Sequence, residues 1–182
     1  MGKLITSITV VTLLVGMIIV TSATAAPKIG ISNNVAVAVN KKLQKQEALF
    51  KKKVCHVAET AIFWEQPYLG DFSDSLGTPP PTPEQMTDAG NDLFQIVTIQ
   101  KDATRRMRAI QAPPGQGKIW QRYFPTEFSI LKVETLASRL LLRHDYDQAN
   151  VVARRTKPKV QRRQKILHLL GFNQQTCNGI DR

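Results

Sequence analysis

The stretch TPEQMTDAGNDLFQIVTIQKDATRRMRAI, Thr82 to Ile110, decides the fold. Met86, Leu93, Ile96, Val97, Ala103, Met107 and Ile110 recur with the helical period, so they line one face of a single helix. Both ends carry terminal signals. Thr82 stands at the N-cap, Pro83 at the first helical position and Gln85 three residues beyond the cap. Glu84, Asp88 and Asp92 occupy the half that the helix dipole makes positive, and Arg105, Arg106 and Arg108 crowd the opposite end. A helix with one apolar face must bury it against other elements, which directs attention to its neighbours.

On the N-terminal side, Phe50, Val54, Val57, Ala58 and Ala61 form the apolar stripe of a helix starting at Lys41. That helix is expected to stop before Pro67, because a residue preceding proline is pushed out of helical geometry. The Pro/Gly/Asp/Ser-rich run PYLGDFSDSLGTPPPT, residues 67–82, then reads as a long loop. On the C-terminal side, the turn Ala112 to Lys118 leads into a third helix with Trp120, Phe124, Phe128, Leu131, Thr135 and Leu142 on its inner face. Pro125 is expected in its first turns or at a kink. After His144 to Asp147, with Asp145 and Gln148 at capping positions, a fourth helix carries Ala149, Val152, Ala153, Thr156, Val160, Leu167 and Leu170. Pro158 predicts a kink or break within it, and Gly171 followed by Phe172 reads as its C-cap. The fold expected is all-α: an antiparallel four-helix bundle with a long loop between helices 1 and 2.

The 182 residues allow one domain, and two cysteines exclude a disulfide-dense scaffold. From Leu4 to Ala26 no residue is charged, and Lys3 precedes the apolar run, as in a secretory signal. Ala23-Thr24-Ala25 supplies the small residues of a cleavage site. The competing reading is an uncleaved N-terminal membrane anchor. The organisation expected is a signal peptide over 1–25, a flexible lead-in over 26–40 containing Val35, Val37 and Val39, and one helical domain over 41–182. Cleavage leaves 157 residues with 24 bases and 14 acids, in a secreted or envelope location. In that oxidising setting Cys55 and Cys177 have only each other as intramolecular partners, so a disulfide is expected; the competing reading is two buried thiols.

Familiar chemical motifs fail on their spacing. Ala112 to Ile119, APPGQGKI, lacks the Ser or Thr that a phosphate-binding loop places after its lysine, and a helix, not a strand, precedes it. Cys55-His56 lacks the first cysteine of a C-x-x-C-H haem attachment, because Lys52 stands there. His56, His144 and His168 do not share the spacing of bundle metal sites. His144-Asp145-x-Asp147 reads more simply as a helix cap than as a cation site. No catalytic residue, cofactor or metal ligand is therefore assigned.

Charge is more informative. Residues 59–102 hold eight acids and one base, whereas residues 154–165 hold seven bases and no acid. The seven are Arg154, Arg155, Lys157, Lys159, Arg162, Arg163 and Lys165, with Lys51 to Lys53 on helix one as an extension. They read as a polyanion-binding patch for anionic lipid or cell-wall polymer. Sequence-specific nucleic-acid recognition is not expected, since no aromatic residue is interleaved with the bases. The plain reading is that acidic and basic surfaces compensate one another as solvated pairs.

Taken in order, KKKVCHVAE around Cys55, Arg108-Ala109-Ile110-Gln111-Ala112-Pro113-Pro114, Trp120, the acidic turn Asp145 to Asp147, and Leu170-Gly171-Phe172 before Cys177 resemble a loosely defined family. Its members are small exported helical proteins of Gram-positive actinobacteria without an assigned biochemical function. The resemblance spans most of residues 50–179 and departs from the family at Pro125, Pro158 and the four-residue gap before Cys177. It implies an exported, disulfide-tied bundle and no catalytic residue. The function expected is a non-enzymatic envelope binding or interaction module. The alternatives are an exported enzyme with a carboxylate-based site, using Glu59, Glu65 or Asp71, and a purely structural or stress-related envelope protein.

Overall fold

The computed structural model describes residues 33–75, 81–173 and 177. All regular structure among them is helical: α1 Asn33–Ser75, α2 Pro83–Arg108, α3 Gly117–Leu141, α4 Tyr146–Ala153 and α5 Lys157–Leu169, the last two joined by one 3-10 turn, Arg154–Thr156. α1 packs on α2, α2 on α3, and α3 on both α4 and α5. The expected signal segment, residues 1–25, lies outside the described residues.

The terminal signals of α2 act as written. Thr82 Oγ1 accepts from the Gln85 amide at 3.2 Å, and Gln85 Oε1 accepts from the Thr82 amide at 2.8 Å, so two otherwise unpaired donors satisfy one another's helix end. Asp145 caps α4 through the Gln148 amide at 3.1 Å. Gly171 ends α5 with φ of 74°; its amide donates to the His168 carbonyl and that of Phe172 to the Leu167 carbonyl. This paired closure needs the left-handed residue that glycine supplies without a Cβ penalty.

Two expectations are corrected in α1. The segment 33–40, expected as part of a flexible lead-in, is helical and continuous with the packed region. Once a helix is nucleated, each added residue gains a hydrogen bond, and the alternating Val37 and Val39 are both exposed, so they are not one face of a strand. The helix also runs through Pro67 to Ser75, so residues 67–75 of the expected long loop are helical. Proline removes one hydrogen bond to the carbonyl four residues back, here that of Phe63, an exposed residue, so the loss falls on the outward side of the helix. The same holds for Pro125, well inside α3, whose freed carbonyl belongs to exposed Gln121. Pro158 breaks the fourth helical region as the sequence predicts. It lies in the first turn of α5, where its missing N–H has no helical partner to lose.

The core has two apolar clusters strung along α3. One gathers Phe50, Val54 and Ala58 of α1, Met107 of α2, Trp120, Tyr123 and Phe124 of α3, and Ile166, Leu170 and Phe172 at the end of α5. Trp120 is its centre: its ring lies 5.2 Å from Phe50 and 4.9 Å from Phe124, and its indole N–H donates to the Ile110 carbonyl at 3.0 Å. The other joins Met86, Ala89, Leu93 and Val97 of α2 to Leu131, Ala137 and Leu141 of α3 and Ala149 and Val152 of α4. Leu142, expected on the inner face of α3, is exposed. Cys55, fully buried on α1, and Cys177 stand at disulfide distance with Cα atoms 5.1 Å apart, within the span a disulfide bridges.

Candidate functional site

Two arrangements carry charge in an unusual way: an outward basic face on the α4–α5 region and an inward polar layer between the two apolar clusters. They share one residue that the sequence placed on the wrong side.

Of the seven bases between 154 and 165, Arg154, Arg155, Lys157, Arg162 and Lys165 are exposed. On the 3.6-residue period these positions fall on one broad arc of α5 and the turn before it. Lys159 is half-buried and donates to Ser129 Oγ of α3 at 2.5 Å. Arg163 must be withdrawn from the surface patch: its Nη1 reaches both carboxylate oxygens of Glu127 at 3.2 Å, with only 14% of its side chain exposed. The helical period explains the difference, since an arc that turns 157, 162 and 165 outward brings 163 toward α3. Lys52 and Lys53 of α1 are exposed, and Lys51 Nζ stands 2.7 Å from the place a Cβ on Gly171 would take. Lys51 of α1 therefore adjoins the C-terminal end of the basic helix.

Beneath that face lie Glu127 and Glu134 of α3, Glu65 of α1 and Arg163 of α5, all withdrawn from solvent, with Tyr123 beside them. Gln100 of α2 donates to Glu65 Oε2 over 3.5 Å, a long and weak contact. Burial, reinforced by the Glu127 charge, pushes Glu134 up to about 7. Burial likewise raises Glu65 to about 7, partly opposed by Gln100. Burial, then Glu127, pushes the Tyr123 hydroxyl above its ordinary range. For Arg163 burial works against the charge, but Glu127, Tyr123 and Glu134 outweigh it, so its pKa rises. Glu134 Oε2 is buried without a hydrogen-bond partner, an arrangement a neutral carboxyl tolerates better than an ionised one. The layer thus contains one fixed ion pair and two carboxyl groups able to hold a proton near neutrality.

Glu65 was named in the sequence as a carboxylate for the enzymatic alternative, and it belongs to this layer. Glu59 is half-buried elsewhere on α1, and the Asp71 side chain lies outside the described residues. Glu127 and Glu134 were not singled out, although the signal was there: both fall on the buried stripe of α3 with Trp120, Phe124, Ile130 and Leu131. Carboxylates seven residues apart on an apolar stripe must find partners inside. Among the described residues no group of three or more His, Cys, Asp or Glu is placed to hold a metal ion. His144 Nε2 meets Thr87 Oγ1 at 3.0 Å, while Asp145 is engaged as a cap.

A second basic feature was not legible in the sequence. Lys101 of α2 and Lys132 and Arg139 of α3 surround a groove of about 400 Å³ floored by Phe128, Leu131 and Leu136. Lys101 Nζ is held there by Thr135 Oγ1 at 3.2 Å. Among the described residues no helix is long and apolar enough to cross a membrane, and the paired cysteines are consistent with an extracytoplasmic location. No family model matches the chain, and neither a curated protein nor a solved structure is significantly similar to it.

Proposed function

We propose that this chain is an exported, non-enzymatic binding module whose basic face engages polyanions of the cell envelope, namely anionic lipid or wall polymer. In this reading residues 1–25 are a cleaved signal, α1, α2, α3 and the α4–α5 pair form an antiparallel four-helix bundle, and the protein is a member of the small exported actinobacterial helical proteins it resembles. The observation that carries the reading is the division of labour among the seven bases. Lys159 and Arg163 turn to α3, while Arg154, Arg155, Lys157, Arg162 and Lys165 stay in solvent with no acid among them in the chain. Five like charges on one face repel one another, and a polyanion relieves that repulsion.

The test is binding of the oxidised protein to anionic vesicles and to anionic wall polymer across salt concentration. Replacing the five exposed bases with Gln is expected to weaken low-salt binding about tenfold or more while leaving unfolding unchanged. Affinity that is absent at low salt, or that is undiminished by the replacement, defeats the reading. Arg163 stays intact in that variant, because its loss would confound binding with unfolding.

An exported enzyme is the second reading, favoured by the convergence of Glu65, Glu127 and Glu134. A carboxyl poised near 7 suits general acid-base work. Glu127, however, is already engaged by Arg163, which suits a structural ion pair equally well.

A further inference from the structure

The outward face of α1 combines two features that the proposed basic face lacks. Phe63 and Trp64 are 69% and 60% exposed, and their rings pack edge to face at 5.6 Å. Two neighbouring aromatic side chains this exposed leave roughly 300 Å² of apolar surface in water, within the range of the largest patch on an ordinary monomer, which is often functional. Along the same helix, Lys45, Leu49, Lys52, His56 and Phe63 recur at intervals of four, three, four and seven, and all are exposed. Spacing of this kind keeps them on one line about 27 Å long, flanked by Lys53 and Trp64. No carboxylate stands fully exposed in this part of α1. Glu47 accepts from Gln116 Nε2 at 3.3 Å, Glu59, which falls on the same line between His56 and Phe63, is half-buried, and Glu65 belongs to the inner layer.

We infer that this α1 face docks on an anionic lipid bilayer, the lysines meeting headgroups and Phe63 and Trp64 entering the interface. The proposal rests on the polyanion reading and chooses among its partners. Lysine attracts an anionic surface but does not need aromatic neighbours to do so; Trp and Phe are useful where apolar and polar media meet. A soluble wall polymer would satisfy the lysines but offers the rings no acyl interior to enter. A second copy of this chain in parallel register would place Lys45, Lys52 and Lys53 opposite like charges.

The chain contains its own reporter. Of its two tryptophans, Trp120 is 1% exposed and already in an apolar setting, whereas Trp64 is in solvent. Oxidised protein is titrated with vesicles of anionic phospholipid, with zwitterionic vesicles and with soluble anionic polymer, following tryptophan emission together with co-sedimentation. The expected result is a blue shift and quenching by bromine-labelled acyl chains with anionic vesicles alone, absent in W64F. Affinity should fall about tenfold or more in the Phe63→Ala/Trp64→Ala double variant, whose folding is checked by circular dichroism. Co-sedimentation without a Trp64 response, or undiminished affinity in the double variant, overturns the α1 proposal and leaves the polyanion reading standing. A Trp64 response to soluble polymer overturns the choice of a bilayer. Failure to bind either vesicles or polymer ends both.

Discussion

Replacing Glu134 with Gln should change how stability depends on pH more than it changes the fold. In the folded chain this carboxyl is raised from 4.5 to about 7, chiefly by burial and then by the Glu127 charge. The folded state therefore holds a proton between those values that the unfolded state has released. More protons bound to the native state means that unfolding free energy falls as pH rises through this window. Above about pH 7 the folded chain must keep a buried carboxylate ionised, at a cost of about 3 kcal/mol, and below about 4.5 the cost is absent. Gln has the same shape and no charge. E134Q should thus match the parent near pH 4.5 and exceed it by up to about 3 kcal/mol at pH 8. Urea unfolding followed by far-ultraviolet circular dichroism at half-unit pH steps measures the difference. Some slope should remain, because Glu65 titrates in the same direction; the double variant with E65Q should be flatter still. Parallel pH profiles for E134Q and the parent, or a variant less stable at every pH, would refute the reasoning, since either would mean that Glu134 carries no strained charge.

Three further outcomes follow from particular contacts. Arg163→Met should cost about 3–5 kcal/mol because it leaves Glu127 buried and unpaired, with partial rescue by E127Q, whereas Lys165→Gln at an exposed position should change stability by about 0.5 kcal/mol or less; denaturation midpoints separate the inward base from the outward one. Gly90→Ala should destabilise by about 1–3 kcal/mol despite alanine's better helix propensity, because the new Cβ would stand 2.8 Å from Leu142 Cγ and 3.1 Å from the Leu142 amide where α2 and α3 meet; a higher melting temperature would contradict that close approach. Reducing Cys55–Cys177, which spans 122 residues, should cost about 5 kcal/mol by the chain-entropy argument, and a thiol count of two in the unreduced protein would contradict the pairing.

The helix ends were readable because their chemistry is local. Thr82, Pro83 and Gln85 satisfy one another within four residues, and Leu170, Gly171 and Phe172 close α5 without reference to the rest of the molecule. Pro67 was misread because a proline stops a helix only if the carbonyl it deprives has no other partner, and exposure is a tertiary property. Residues 33–40 were misread for a related reason: a short segment of Asn, Val and Ala has no decisive local signal and follows the helix it extends.

By itself the sequence determined the helical class, the caps, the break at Pro158, the single available cysteine pairing and the polarised distribution of charge. All of these depend on neighbours in the chain or on counting. Only the tertiary structure decided which charges face water. Arg163 lies among six other bases in sequence, yet it turns to α3 because Glu127 occupies the facing position; Glu65, Glu127 and Glu134 come from separate places and meet only when α1, α3 and α5 pack. The Phe63–Trp64 pair completes the contrast, since an aromatic residue in a helix is ordinarily read as core, and its exposure on α1 exists only relative to the helices that do not cover it. Charge and hydrophobicity belong to residues, whereas burial and partnership belong to the packed chain.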